Sequence, residues 1–198
     1  RFSRFYEIPL AIQDRSFNDD GSLFYPSSRE FFDEFAGPYI PYSDVSPIWN
    51  PEFFGNTMVV NGRTWPHLEI EPRRYRFRFL NGCNSRFLIL KIVTDPLATR
   101  PATAAHSFWQ IGAEGGFLPA PVMLDQLLMS PSERADVIVD FTGLAIGTEL
   151  YLINEGPDEP FGGGAPETDF PAADPETTGQ VMKFVVVALA SKDHSRDP

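Results

Sequence analysis

One cysteine and three histidines are the side chains here best suited to hold a metal, and their spacing does not bring them together. A mononuclear copper site needs a thiolate, two imidazoles and usually a weak axial methionine. Cys83 is followed by Asn84-Ser85-Arg86-Phe87 and then an apolar run, with no histidine until His106 and with Met123 and Met129 further on. His67, His106 and His194 stand singly, whereas coupled copper centres need His–X–His pairs. A single thiol also excludes an internal disulfide and any site built from several thiolates. Cys83 therefore reads as a small residue that tolerates burial at the start of a strand. Incidental roles are the default for the three histidines.

Other chemistry is equally sparse. There is no Gly-X-Ser-X-Gly elbow for a nucleophilic serine. Paired carboxylates for glycoside chemistry stay open in principle, because Asp and Glu total 27, but spacing alone picks out no pair. Gly162-Gly163-Gly164 lacks the preceding strand, the following helix and the nearby lysine of a phosphate cradle, and reads as a mobile loop. The charged group Glu133, Arg134 and Asp136 enters an apolar strand. Mutual pairing, or Arg134 bonding loop carbonyls, would offset the cost of that placement. The expectation is a structural latch tying a loop to the strand end.

The elements that must position these groups are strands. Apolar residues make up 42% of the 198 residues, with Phe 18, Pro 19 and Gly 15, a composition of short strands joined by turns. Strands are expected at Glu7–Gln13, Thr57–Val60, Tyr75–Leu80, Arg86–Val93, Phe108–Ile111, Val122–Met129, Arg134–Phe141, Glu149–Asn154 and Val181–Leu189. Tyr75-Arg76-Phe77-Arg78-Phe79 alternates with period two, the pattern of a half-buried strand. Asn61-Gly62 is the strongest hairpin signal, Asn81-Gly82 gives a second turn, and Asp14–Gly21 carries turn chemistry. Residues 22–56 hold five prolines and read as a long surface excursion, with a short helix possible at Ser28–Phe35. Eight or nine strands without βα alternation predict an all-β Greek-key sandwich or barrel in one domain, with a core over residues 7–189 and a linker tail at 190–198.

Net charge −11 argues against nucleic acid, whose phosphates require a Lys/Arg surface. Basic residues cluster once, at Arg73, Arg74, Arg76 and Arg78. This reads first as a solvated strand face and second as an interdomain salt-bridge face. No apolar run approaches the ~20 residues of a membrane-spanning helix. The first residues, Arg1-Phe2-Ser3-Arg4, are not a signal peptide and lack an initiator Met, so the chain is expected to begin inside a longer polypeptide.

Several stretches, in order, resemble the middle domain of multicopper oxidases. They are Ile8–Arg15, Gly55–Gly62, Trp65–Arg78 with its Trp-Pro and Glu-Pro-Arg-Arg-Tyr-Arg-Phe-Arg, Leu80–Arg86, Ile111–Pro119 and Pro131–Phe141. The variant resembles the bacterial branch of spore-coat laccases, bilirubin oxidases and phenoxazinone synthases. The resemblance implies a cupredoxin-like fold inside a three-domain parent. In that family the first and third domains supply the copper ligands, so no metal and no catalytic residue is expected in this chain. The parent would oxidise phenolic or similar small aromatic substrates and reduce dioxygen to water. It would be exported, periplasmic or in the spore coat. The chain's expected partners are the first and third cupredoxin domains of the same polypeptide. In the laccase branch, middle-domain loops also wall the substrate pocket. The matching positions are Pro51, Phe53 and Phe54 and, in a second loop, Phe161, Gly162 and Gly163, although Phe53 and Phe54 could equally pack beneath the long loop. Phe54 stands where some relatives carry a cysteine, so a loop-to-loop disulfide is not expected. The competing expectation is a free-standing β-sandwich that binds a ligand or partner through its aromatic loop. A copper protein completed by a symmetric partner chain is the third.

Overall fold

A computed structural model describes residues 6–26 and 52–197. Among the described residues thirteen strands run in the order β1 (Glu7–Phe17), β2 (Leu23–Phe24), β3 (Thr57–Val60), β4 (Arg63–Thr64), β5 (His67–Ile70), β6 (Arg74–Asn81), β7 (Leu88–Val93), β8 (Phe108–Ala113), β9 (Gly116–Leu124), β10 (Leu127–Met129), β11 (Arg134–Asp140), β12 (Glu149–Asn154) and β13 (Gln180–Val186). No helix occurs among the described residues. The expected Ser28–Phe35 helix lies outside them.

Two mixed sheets face each other. One has eight strands in the order β4-β3-β1-β6-β11-β8-β9, with β2 on β1, and the other five in the order β10-β7-β12-β13-β5. Each sheet contains one parallel pair, β1 with β6 and β5 with β13. The all-β sandwich expected from the strand and turn pattern is thus the fold.

Period-two patterning explains how the sheets meet. On β6, Tyr75, Phe77 and Phe79 turn inward while Arg74, Arg76 and Arg78 turn outward. Phe77 meets Phe184 of the opposite sheet with ring centroids 5.7 Å apart, and Phe141 packs edge-on against both Tyr75 and Phe77. Full burial of each such ring stabilises the fold by roughly 1.5–3 kcal/mol. The hairpin at Asn61-Gly62 forms as expected, with φ of 49° and 80°, the positive values a tight primed turn requires.

Four expectations need correction. Turn chemistry was placed from Asp14, yet β1 continues to Phe17 and the reversal falls at Asn18–Gly21. Asp14 stays in the strand because it shares the inward face of Leu10 and Ile12 and finds buried partners there. Val122–Met129 is two strands in different sheets, because the chain bends at Asp125-Gln126, where Ser107 Oγ donates to Asp125. Asn81-Gly82 is a crossover between sheets and not a hairpin: Asn81 Nδ2 donates to the carbonyls of Arg86 and Met129. Short pairs such as β2 and β4 raise the strand count above the eight or nine expected.

Candidate functional site

The two segments expected to wall a pocket converge on one buried arginine. Arg86 precedes β7 in the crossover between the sheets and is 1% exposed. Its Nε lies 3.2 Å from Asp14 Oδ2, itself fully buried on β1. Nη2 donates to the Gly55 carbonyl at 2.8 Å, and Nη1 donates to the Pro157 carbonyl at 3.1 Å and to Asp158. Asp14 in turn accepts from Gly55 N at 2.8 Å and from Asn84 N at 3.3 Å. A buried pair of this kind is tolerated only when the remaining donors and acceptors are satisfied, and here loop carbonyls and amides satisfy them. Gly55 must be glycine at this junction, because a Cβ would stand 2.5 Å from Arg15 N.

Around this anchor, Phe54 lies under the Arg86 guanidinium, 5.6 Å from ring centroid to Cζ. Phe53 is buried, packs 5.1 Å from Tyr25, and donates its backbone N–H to Ser85 Oγ. Pro51 lies outside the described residues. On the other side Phe161 sits between Phe87 at 4.9 Å and Phe170 at 5.4 Å. Gly162 and Gly163 are exposed beside it. Consecutive residues Arg86 and Phe87 therefore hold the two segments at the same corner of the sandwich. An open cavity of ≈ 360 Å³ adjoins the corner, lined by Arg15, Phe24, Tyr25, Phe53, Cys83 and Asn84 among others. That volume falls within the range of small-molecule pockets.

The 155–179 segment departs from the mobile loop expected of its composition. Asn154 Oδ1 accepts from Ile89 N and Gly156 N, and Asp158 accepts from Thr178 Oγ1 and Asp174 N. Glu155, fully buried, accepts from Ala102 N at 2.6 Å and pairs with Lys91 Nζ at 2.8 Å, with Arg100 3.8 Å away. The Lys91 contact is an ion pair whose angles fall outside hydrogen bonding. This network pins the 94–107 loop over β7, and burial lowers the Arg100 pKa.

Glu133, Arg134 and Asp136 do not form one mutually paired group. Glu133 accepts from Ser130 N at 2.5 Å. Arg134, half exposed, bonds the Ser132 carbonyl and pairs with Glu114 of the β8–β9 turn. Asp136 instead accepts from Nε and Nη2 of Arg76 on β6.

The donor set does not fit a copper centre. Cys83 is buried with Sγ 3.9 Å from the Ile12 carbonyl, and burial, aided by the Asp14 charge, pushes its pKa up, away from the thiolate that copper requires. His67 lies on β5, His106 bridges to Ile92 with its pKa lowered by burial, and His194 lies in the tail. Among the described residues no three His, Cys, Asp or Glu side chains gather as a metal site. The tail itself is docked, with Ser191, Asp193 and Asp197 meeting Arg73 and Arg74.

Reasoning from sequence missed Asp14, Arg86, Asn154 and Glu155. Asp14 carried a signal, since Leu10, Ile12 and Asp14 recur at period two on one inward face. Arg86 just ahead of the run Leu88–Val93, apolar apart from Lys91, was a second such signal.

The fold and the corner together define a cupredoxin-like sandwich whose buried charges at this corner hold its own loops. No family model matches the chain. It is 40% identical over 194 residues to a laccase of Bacillus subtilis, covering 98% of this chain and 32% of that protein. It is 33% identical over 183 residues to the multicopper oxidase LPR1 of Arabidopsis thaliana, covering 91% of this chain and 26% of that protein. The crystal structure of the McoA multicopper oxidase from the hyperthermophile Aquifex aeolicus superposes with TM-score 0.67 at 28% identity, over 96% of this chain and 33% of that one. Its homologues are thus laccases and multicopper oxidases, which supports a cupredoxin domain of such an enzyme, and the chain spans about a quarter to a third of their length.

Proposed function

We propose that this chain is the middle domain of a three-domain multicopper oxidase, a non-catalytic scaffold that holds the copper-bearing first and third domains in register. The observation that carries this reading is the match of nearly the whole chain to only about a third of a laccase. With one cysteine and three isolated histidines in the sequence, this reading has the copper ligands supplied from elsewhere in the polypeptide. Register matters because a metal cluster shared between two domains tolerates little misplacement. The Arg86 corner suits a second role. By fixing Phe53, Phe54 and Phe161 together it would offer part of an aromatic-lined wall for the small phenolic substrates of the parent, beside the ≈ 360 Å³ cavity. Glu133 and Arg134 act in this reading as a latch on the loops at the start of β11.

The test is copper per chain after incubation with excess copper and dialysis, together with the coding sequence on both sides. The reading expects a value near zero for the 198 residues, His–X–His pairs on both flanks, and copper in the longer polypeptide. One tightly held copper ion per chain would overturn it.

A further inference from the structure

The outer face of the eight-stranded sheet carries two cross-strand rows that the core does not use. In the first, Glu7, Arg76, Ile138, Trp109 and Met123 are successive register partners across β1, β6, β11, β8 and β9. In the second, Pro9, Arg78, Asp136, Gly112 and Phe117 are partners across the same strands. Register partners project from the same face of a sheet. Their sequence neighbours Ile8, Phe77, Val137 and Phe108 point the other way, into or against the core.

One half of this face is charged and ordered. Arg76 donates to Asp136 at 2.8 and 2.5 Å, and both Arg76 and Arg78 pair with Glu7. The other half is apolar. Phe117 is 74% exposed and Met123 59%, with Trp109 and Ile138 half-buried beside them. The Arg76 guanidinium lies 5.6 Å from the Phe117 ring centroid, so the two halves touch. Aromatic and methionine side chains beside fixed charges have the composition of an interface, and groups already held in place lose less entropy on docking.

We infer that this face is the docking surface for another domain of the same polypeptide, an inference that rests on the scaffold reading. Two observations choose that occupant. Relatives carry about two thirds of their length outside the matched segment, since this chain covers 32% of the Bacillus subtilis laccase. A second copy is disfavoured by net charge −11, which repels a like chain. Strand-to-strand pairing is disfavoured too, because Pro119 and Pro121 remove two backbone donors from edge strand β9. The contact is therefore made by side chains on the sheet face, against an apolar surface with polar groups facing Arg76 and Arg78.

Met123 is a built-in probe, since Met58, Met129 and Met182 are buried and Met123 is not. Peroxide oxidation, read by peptide mass spectrometry, compares the full polypeptide with the 198-residue chain. Met123 is expected to oxidise about tenfold more slowly in the full polypeptide, following its loss of exposure. The three buried methionines should stay protected in both, reporting an intact fold. Equal Met123 rates overturn the docking assignment. Protection in the short chain that vanishes on dilution also overturns it, in favour of a second copy. Where the short chain fails to protect its buried methionines, Phe117→Asp in the full polypeptide decides. Faster Met123 oxidation supports the interface and an unchanged rate overturns it. The scaffold reading fails separately, when the flanking coding sequence carries no His–X–His pairs.

Discussion

At the scale of single residues, Arg86 and Asp14 have the largest expected effects. Arg86→Met would leave the Asp14 carboxylate buried against two backbone amides and no cation, which costs about 3–5 kcal/mol. Urea unfolding measures this as a lower midpoint with an unchanged slope. Gly55→Ala forces a Cβ against the Arg15 backbone and is expected to cost roughly 1–3 kcal/mol by the same measurement. Cys83 gives a pH prediction. Its folded pKa is raised by burial and then by Asp14, so below the unfolded value of the thiol its contribution to stability is fully present. As pH rises past that value, about 8.5, the unfolded chain releases a proton that the folded chain keeps, and stability falls. Native Cys83 should also alkylate with iodoacetamide at least about a hundredfold more slowly at pH 8 than the denatured chain, reflecting its lack of exposure and thiolate. Labelling at comparable rates would contradict its placement.

At the scale of elements, the 155–179 segment owes its order to a few polar anchors. Asp158→Ala removes the partner of Arg86, Thr178 and Asp174 together. A glutamate-specific protease should then cut after Glu167 or Glu176 on the order of tenfold faster, while strands β12 and β13 stay intact. Strands were readable in the sequence wherever alternation was clean, as in β6 and β11, and β12 was placed at Glu149–Asn154. What was not readable depended on partners distant in sequence. Asn154 at the end of β12, and Glu155 and Asp158 after it, look like ordinary solvent-facing polars until β7 and the 94–107 loop are folded beside them. The corner was half legible. Resemblance pointed to Phe53, Phe54 and Phe161, but the arginine between them comes from a third segment that no local pattern links to either.

At the scale of the molecule, the two parallel pairs constrain how the chain can acquire its shape. Strand β1 is flanked by β3 and by β6, and β5 has β13 as its ladder partner at the edge of its sheet. Residues 67–70 must therefore wait for residues 183–186 before their backbone is paired. Loop closure over such separations has to be met before the contacts repay it, which slows folding and raises contact order. During synthesis the five-stranded sheet cannot be completed until almost the whole of residues 67–186 has left the ribosome. Until then the apolar inner face of β6 and β11 stays uncovered, and a nascent chain in that condition is prone to associate wrongly. A ribosome stalled before Gln180 should hold a protease-sensitive chain, and one stalled well beyond Val186, with the strand clear of the exit tunnel, a resistant one. The last strand is thus the gate between a collection of hairpins and a domain.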